Sequence, residues 1–298
     1  GLDAGQAILV GSAPDNLDRY TKAFDISTTG QALGFPSSIT HKGRVAYENS
    51  YTLASLTEFA ASGNPALLKV ADFDYVKPEK VTAYELGYRA GFGKFALDVS
   101  AYYNQYEDFI GNKTVVSPLY GNVDFSDIHP AILQPNAVLA IANGDYQPYQ
   151  VYTNSAADIS SYGGTIGITT KIFGDYSFGF NYTYSKFDFD QATDPDYEAG
   201  FNTPENKIKL AFGNTSLFEN FGFNVNFRWN DEYLWESSFA NAVIDARTVI
   251  DAQINYTIPK WKSTFKVGAA NLGGQEYLSA PGNGVIGSQY FASWTINP

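Results

Sequence analysis

Charged and amide side chains recur at every second position along several aromatic-rich segments of this 298-residue chain. The nine candidate functional residues of this kind are Glu85, Arg89, Asp98, Asn181, Lys207, Lys209, Arg228, Asp251 and Gln253. Successive side chains of an extended strand point to opposite faces, so residues at this spacing share one face. Hydrogen bonding and ion pairing are the chemistry open to such a set. We expect the nine side chains to line a polar interior space.

Residues suited to catalysis or to metal binding are scarce. The chain contains no cysteine, which excludes disulfides, thiolate metal sites and cysteine nucleophiles. It has no G-x-S-x-G motif, and His41 and His129 lie far apart in the sequence. We interpret both histidines as ordinary loop residues. We therefore expect no enzymatic activity and no bound cofactor or metal.

One acidic run is the only other cluster with possible ligand chemistry. It comprises Asp188, Asp190, Asp194, Asp196 and Glu198. Carboxylate oxygens suit Ca²⁺, but this run lacks the spacing and the glycine of an EF-hand loop. We favour a solvated acidic loop, and Ca²⁺ binding stays open as the alternative.

The composition narrows the class of protein. The formal net charge of −12 argues against nucleic acid, whose phosphates would be repelled. The chain contains 22 Tyr and 22 Phe, yet no run approaches the ~18 apolar residues that a membrane helix needs. A polar average with many aromatic residues fits a membrane β-barrel, because only every second strand residue must be apolar.

Alternation with period two is the clearest structural signal. In 176–184 the even positions are all Tyr or Phe, while the odd positions are Ser, Gly, Asn and Thr. Residues 95–104 and 221–229 follow the same scheme. Each alternating core is about 9–11 residues long, the length that a tilted strand needs to cross hydrocarbon. Strands of soluble proteins are usually nearer ~5–6 residues. The pattern therefore predicts membrane-spanning strands.

The same reading predicts nine strands and an asymmetric set of connections. The strands are expected near 81–91, 94–112, 150–172, 175–190, 202–213, 221–237, 244–258, 262–272 and 286–297. Tight turns are expected at 91–94, 173–175 and 259–262, and longer links at about 113–149, 190–201, 237–243 and 273–285. Short turns on the periplasmic side and long loops outside the cell are typical of outer-membrane barrels. This scheme leaves the C-terminus in the periplasm.

Residues 1–80 lack sustained alternation. Short helical turns are predicted in 16–24 and 53–61, and residues 30–36 are predicted to be loop. Because this segment leads into a descending strand, we expect it to be an extracellular loop region, followed by transmembrane strands over 81–298. The alternative is an independent small domain, which the few predicted regular elements disfavour.

Three stretches together resemble the TonB-dependent outer-membrane receptors, particularly those of Bacteroidota-type bacteria. The segment VKPEKVTAYELGYR at 76–89 is similar to that family's recurring LKPE-x-x-x-x-E-x-G-Y-[KR] segment, and 98–110 resembles the strand that follows it. Residues 266–272, Tyr277 and 290–295 resemble the final hairpin. The order and spacing of the matches agree over most of 76–298.

The resemblance implies an all-β fold, namely the C-terminal portion of a 22-stranded transmembrane antiparallel barrel around a plug. Nine strands alone would not close that barrel, because open edges leave backbone groups unpaired in lipid. We therefore expect a fragment, or one piece of a split receptor, completed by the remaining N-terminal strands and the plug. Two departures from the family pattern are Gly273, where an aromatic residue is common, and the non-aromatic end Ile296-Asn297-Pro298.

The function implied by the resemblance is TonB-driven import of a scarce nutrient such as a siderophore, an oligosaccharide or a peptide. The nine polar residues would then contact the plug or line the substrate path, and plug contact is the favoured interpretation. Expected partners are the plug, the TonB system through that plug and the lipid bilayer, with a surface lipoprotein or larger outer-membrane complex as a further candidate. The alternative is a receptor-like barrel acting as a structural or accessory subunit. A barrel enzyme ranks last.

Overall fold

Strands dominate the computed structural model, which describes residues 8–9, 21–72, 74, 76–237 and 240–296. The strands are β1 (Ile8–Leu9), β2 (Thr21–Asp25), β3 (Ser38–Lys42), β4 (Tyr51–Thr52), β5 (Lys80–Phe92), β6 (Phe95–Glu107), β7 (Ile110–Pro118), β8 (Tyr146–Asn154), β9 (Ile159–Ile172), β10 (Tyr176–Asp188), β11 (Tyr197–Glu198), β12 (Asn206–Phe218), β13 (Phe221–Asn230), β14 (Tyr233–Trp235), β15 (Ala242–Ile244), β16 (Arg247–Ile258), β17 (Ser263–Ala270) and β18 (Gln289–Ile296). The α-helices of these ranges are α1 (Thr28–Ala32), α2 (Gly43–Glu48), α3 (Leu53–Ser62) and α4 (Asn136–Ala142). Short 3₁₀ turns cover Pro65–Leu67 and Pro259–Trp261.

Nine long strands form one antiparallel sheet, which we call the wall. Its strand order is β5-β6-β9-β10-β12-β13-β16-β17-β18. Each predicted strand overlaps one strand of the wall, and the predicted all-β antiparallel architecture is confirmed. Within the described ranges, β5 and β18 each pair on one side only, and the sheet is not a closed barrel.

The connections of the wall alternate between short and long. Tight turns join β5 to β6, β9 to β10, β12 to β13 and β16 to β17. Left-handed backbone at Gly93 (φ 63°) and Asn220 (φ 65°) allows the chain to reverse within two residues in two of these turns. The connections at the opposite end span about 108–158, 189–205, 231–246 and 271–288. The predicted asymmetry in connection length is confirmed.

Three predicted strands were too long, and the one predicted at 221–237 is divided into β13 and β14. The strand predicted at 94–112 ends at Glu107, because Asp108 adopts left-handed backbone (φ 53°) and turns the chain. The strand predicted at 150–172 is likewise two strands, β8 and β9. Neither 108–109 nor 155–158 contains Gly or Pro, so the sequence gives no turn signal at these two breaks. Asp is one of the few residues other than Gly that readily adopts this conformation.

The second body, which we call the cap, lies at the long-loop end. It comprises β1–β4, β7, β8, β11 and the four α-helices. Its main sheet has the order β1-β8-β7-β11, and β4 also pairs with β7. The prediction of few regular elements in 1–80, and of a plain link at 113–149, was wrong. These segments are regular because they pack on one another, which no local pattern shows.

The helix predictions for the first 80 residues had mixed outcomes. The helical turn predicted at 53–61 is confirmed by α3, which Thr52 caps by accepting a hydrogen bond from the Ser55 N–H. The helical turn predicted at 16–24 was wrong in its described part, where β2 is a strand, and 16–20 lie outside the described residues. The predicted loop at 30–36 contains the end of α1.

The cap has a conventional hydrophobic interior. One cluster joins side chains of α3, β7 and α4, including Leu56, Val116 and Val138, around the fully buried Tyr51. A second cluster packs Ile26, which follows β2, against Leu119, which follows β7, and against Leu139 of α4. Burial of this kind is the dominant favourable term in folding. The cap is therefore one packed unit made of distant segments.

The cap contacts the wall where the chain enters and leaves it. Asn154 accepts a hydrogen bond from the Lys77 N–H (2.7 Å) and donates one back to the Lys77 carbonyl (3.0 Å). The ring of Phe109 packs edge-on against Tyr106 of the wall at 5.0 Å and against Phe187 at 5.6 Å. The chain segments that enter and leave the cap are thus tied together.

Among the described helices, none is long and apolar enough to cross a membrane.

Candidate functional site

The register of the wall places all nine predicted polar residues on one face. Directly opposed residues of an antiparallel sheet share a face. Opposed pairs run across the sheet as Arg89 with Asp98, Asn181 with Lys209, and Lys209 with Arg228. Glu85 and Lys207 lie an even number of residues from row members on the same strand. Asp251 and Gln253 oppose Asn226 and Asn224, which lie an even number of residues from Arg228. We call this surface the polar face, and the role of its residues stays a prediction.

The opposite face of the wall is apolar and uncovered. Tyr84, Leu86 and Tyr88 of β5 point to this side, and the Leu86 side chain is 77% exposed. At the other edge, Phe265 stacks on the opposed Trp294 with ring centroids 5.8 Å apart. Monomeric soluble proteins rarely expose a continuous apolar surface of this extent. The surface fits contact with lipid.

The polar face forms a trough of about 810 Å³. Its polar lining consists of Arg89, Asp98, Thr169, Asn181, Lys209, Asn226, Arg228 and Asp251. Two ion pairs neutralise most of its charge: Arg89 Nε lies 2.5 Å from Asp98 Oδ2, and Arg228 Nη2 lies 2.8 Å from Asp251 Oδ2. The trough is therefore polar and nearly balanced in charge, which suits hydrogen bonding more than the capture of a strongly charged ligand.

A smaller pocket of about 340 Å³ adjoins the trough at the long-loop end, and we call it the basic pocket. Its cationic lining residues are Lys207, Lys209, Arg228 and Arg247, and Tyr233 and Tyr277 from the loops also line it. Lys209 and Arg228 line both spaces. Glu85 and Gln253 share the polar face but line neither space.

Sequence reasoning missed Asn226 of the trough and Arg247 of the basic pocket. Asn226 follows the same alternation as Arg228, so that signal was available in the sequence. Arg247 begins β16, where the alternating pattern is short. Its role depends on Tyr277, over whose ring the guanidinium lies at 4.9 Å, and this contact requires a distant loop to fold back.

The two histidines belong to the cap and are structural. His41 lies in β3 and not in a loop, and it is buried. Its Nε2–H donates to the Pro118 carbonyl (3.1 Å), so Nδ1 can accept from the Tyr149 hydroxyl (3.0 Å). Burial lowers the pKa of His41, although the Pro118 hydrogen bond opposes this. His129 lies in a turn, where Nε2 donates to the Leu33 carbonyl (3.0 Å).

The acidic run is not uniformly solvated, so that interpretation was wrong for two of its members. Asp194 is 5% exposed, pairs with Lys113 Nζ at 2.5 Å and accepts from the Ser155 hydroxyl at 2.9 Å. Asp196 Oδ1 accepts from the Ala54 N–H at the start of α3 (2.8 Å). Burial raises the pKa of Asp196. Among the described residues, no group of three or more His, Asp or Glu side chains is placed to hold a metal ion.

The comparison with protein families gives a match over most of the chain. A family model described as "TonB dependent receptor-like, beta-barrel" matches residues 19–272. The chain belongs to the TonB-dependent receptor family. This family consists of receptors and transporters of the bacterial outer membrane and not of enzymes. The narrower resemblance to Bacteroidota-type receptors stays a prediction.

Solved structures share the fold of this TonB-dependent receptor chain. It is similar to the FrpB iron transporter from Neisseria meningitidis, with a TM-score of 0.50, 13% identity and coverage of 74% of this chain and 32% of that one. For the FpvAI–pyocin S2 complex the TM-score is 0.50 and the identity 13%, with 74% of this chain and 28% of that one covered. For the siderophore receptor PirA from Acinetobacter baumannii the TM-score is 0.48 and the identity 15%, with 74% of this chain and 32% of that one covered. The chain thus spans about a third of the length of these relatives. The comparison with curated proteins found no match.

Proposed function

We propose that this chain forms part of the barrel wall of an outer-membrane importer for a scarce nutrient. The observation that carries the proposal is the two-faced wall, with nine polar residues on one side and an uncovered aromatic face on the other. A barrel of this family needs an apolar surface toward lipid and a polar one toward its interior. The paired charges of the trough would contact the plug, through which the TonB system would act.

The proposal includes an orientation. The cap and the long connections would lie outside the cell, and the tight turns and the C-terminus in the periplasm, because long loops are extracellular in such barrels. Since the chain contains no cysteine, single cysteines can report this. Leu133→Cys in the cap, where the native side chain is 78% exposed, should react with a membrane-impermeant maleimide on intact cells. Glu219→Cys in a tight turn should react only after the outer membrane is permeabilised. The reverse result would contradict the orientation.

Import itself can be tested without knowing the cargo. Cells that contain or lack the full-length protein would be compared for compounds depleted from a defined nutrient mixture, in the presence and absence of TonB. We expect at least one compound whose depletion requires both proteins. If every compound disappears equally from all four cultures, the importer proposal is wrong.

The cap favours one second candidate, a structural or accessory subunit of a larger outer-membrane complex. The cap is a packed body with its own sheet and core, which is more than a ligand-binding loop requires. Such a body suits contact with a surface lipoprotein or another subunit. This candidate predicts a stable partner that copurifies with the protein in detergent, together with no depletion that depends on TonB.

A further inference from the structure

The basic pocket is lined by cations, although the chain as a whole carries a negative net charge. The chain carries a net charge of −12, yet Lys207, Lys209, Arg228 and Arg247 all line one space of about 340 Å³. The wall register explains how they meet. Lys207 and Arg247 both oppose Asn230, from its two sides, and Lys209 opposes Arg228 in the next row of the same face. Three neighbouring strands therefore deliver the four cations to one place.

The cations of this pocket are less compensated than those of the trough. Arg228 is paired with Asp251, but the side chains of Lys207 and Lys209 make no hydrogen bond or ion pair within the described part of the chain. The nearby Asp231 is already engaged, since it accepts hydrogen bonds from the backbone N–H (3.1 Å) and the side-chain amide (2.7 Å) of Asn206. Two ammonium groups thus remain available to a ligand.

Arg247 is held in place with hydrogen-bonding capacity to spare. Its Nε donates to Asn230 Oδ1 (2.9 Å) and its Nη1 donates to the Leu278 carbonyl (3.3 Å), while the guanidinium lies over the Tyr277 ring. A guanidinium has five N–H donors, so donors remain after these two contacts. A planar donor group fixed in this way is suited to carboxylate and phosphate oxygens.

We propose that the basic pocket binds a small molecule that carries two or more anionic oxygen groups, either carboxylates or phosphates. Its volume falls in the range of small-molecule sites, about 300–1,000 Å³. Lys207 and Lys209 would bind one anionic group and Arg247 another. The inference rests on the proposed function, since it names the class of cargo that enters from the long-loop end. Lys209 and Arg228 also line the trough, so they would lie where the cargo passes from one space to the other.

Calorimetric titration of the full-length protein in detergent tests the inference. The probes are tricarballylate for carboxylates, pyrophosphate for phosphates and raffinose as a neutral compound. We expect at least one anion to bind, with affinity that falls as salt is added, and raffinose to give no heat. The Lys207→Gln/Lys209→Gln double variant should bind that anion about tenfold more weakly or worse, because hydrogen bonds to charged groups are lost.

The matched control is Lys94→Gln/Lys260→Gln, which removes the same charge at the tight-turn end of the wall. This control should retain the affinity of the unmodified protein. The inference is overturned if neither anion binds, if the double variant binds normally, or if the control loses as much affinity. One such outcome has a clear cause. If the protein binds neither anion and the double variant has a lower melting temperature, an acidic segment of the protein fills the pocket.

Failure of this inference can be told apart from failure of the proposed function. Binding in detergent requires neither TonB nor an energised membrane. Anion binding without any TonB-dependent depletion would leave the pocket assignment standing and refute the importer. TonB-dependent depletion with no anion binding would support the importer and refute the pocket assignment.

Discussion

The wall and the cap differ in where their apolar side chains lie. In the cap, apolar side chains such as Tyr51 and Val116 are removed from solvent, and the sheet has packed layers around it. In the wall, Leu86 and Trp294 are exposed and the polar side chains share the opposite face. Alternation therefore identifies a strand but does not tell which of its faces meets an apolar surrounding.

The two regions also differ in how far apart their partners lie in the sequence. All eight neighbouring strand pairs in the wall are antiparallel. Five of them join two strands that follow each other directly along the chain. In the cap, residues 21–72 instead pack on residues 110–154, and β11 from a third segment pairs with β7. We therefore expect substitutions to affect the two regions separately.

The largest expected effect is in the interior of the cap. Tyr51→Ala should lower the stability of the cap by about 3–5 kcal/mol, because it removes a fully buried ring from the main cluster. Limited proteolysis should then cut the cap while the wall strands stay protected. Leu133→Ala, at an exposed cap position, is the control and should leave the digestion pattern unchanged. Simultaneous loss of the wall would show that the two regions are not separate.

A charge on the apolar face of the wall should have the next largest effect. Val225 lies near the middle of β13, where a lysine facing hydrocarbon costs about 2–4 kcal/mol. Val225→Lys should therefore lower the urea midpoint of unfolding in lipid bilayers. Asn226→Lys, one residue further along on the polar face and opposite Asp251, should change it little. Equal effects of the two substitutions would argue that neither face meets lipid.

Ion pairs offer a smaller test of the same contrast. Asp194→Asn leaves the ammonium of Lys113 without a charged partner in a buried site and should destabilise the cap by roughly 1–3 kcal/mol. Asp98→Asn breaks the solvent-exposed pair with Arg89 and should change the stability by less than about 1 kcal/mol. Thermal unfolding of the two variants, followed by proteolysis of cap and wall, measures the difference. A larger effect for Asp98→Asn would contradict the assigned burial.

The smallest effect concerns pH. Burial raises the pKa of Asp196 above its ordinary value of 3.8, so the folded cap holds this proton more tightly than the unfolded chain. The contribution of Asp196 to stability is therefore greatest below the unfolded pKa and falls as pH rises through the folded pKa. Asp196→Asn, which keeps an oxygen for the Ala54 N–H, should lose this pH dependence. A variant whose cap stability follows the same pH curve as the unmodified protein would contradict the assignment.

Much of the wall could be predicted from the sequence, because hairpins pair residues that are close in the chain and period two fixes which side chains share a face. That is why Arg89, Asp98, Asn181 and the other polar residues were found together. The break at Asp108 was missed because a left-handed Asp interrupts a strand without any Gly or Pro.

The cap and the basic pocket could not be predicted in the same way. β4, β8 and β11 are placed by pairing with a strand far along the chain, which local patterns do not encode. Arg247 joins the pocket only because Tyr277 and Leu278 return from a later loop. Non-local contacts of this kind decide both the cap fold and the charge of the pocket.

Spin labels along β13 test whether the wall separates lipid from a polar interior. Single cysteines at 223–227, introduced one at a time into the full-length protein in lipid bilayers, would carry the label. Labels at Phe223, Val225 and Phe227 should be accessible to oxygen dissolved in lipid, and those at Asn224 and Asn226 to a polar relaxation reagent. Accessibility that lacks period two, or that alternates in the opposite phase, would contradict the account.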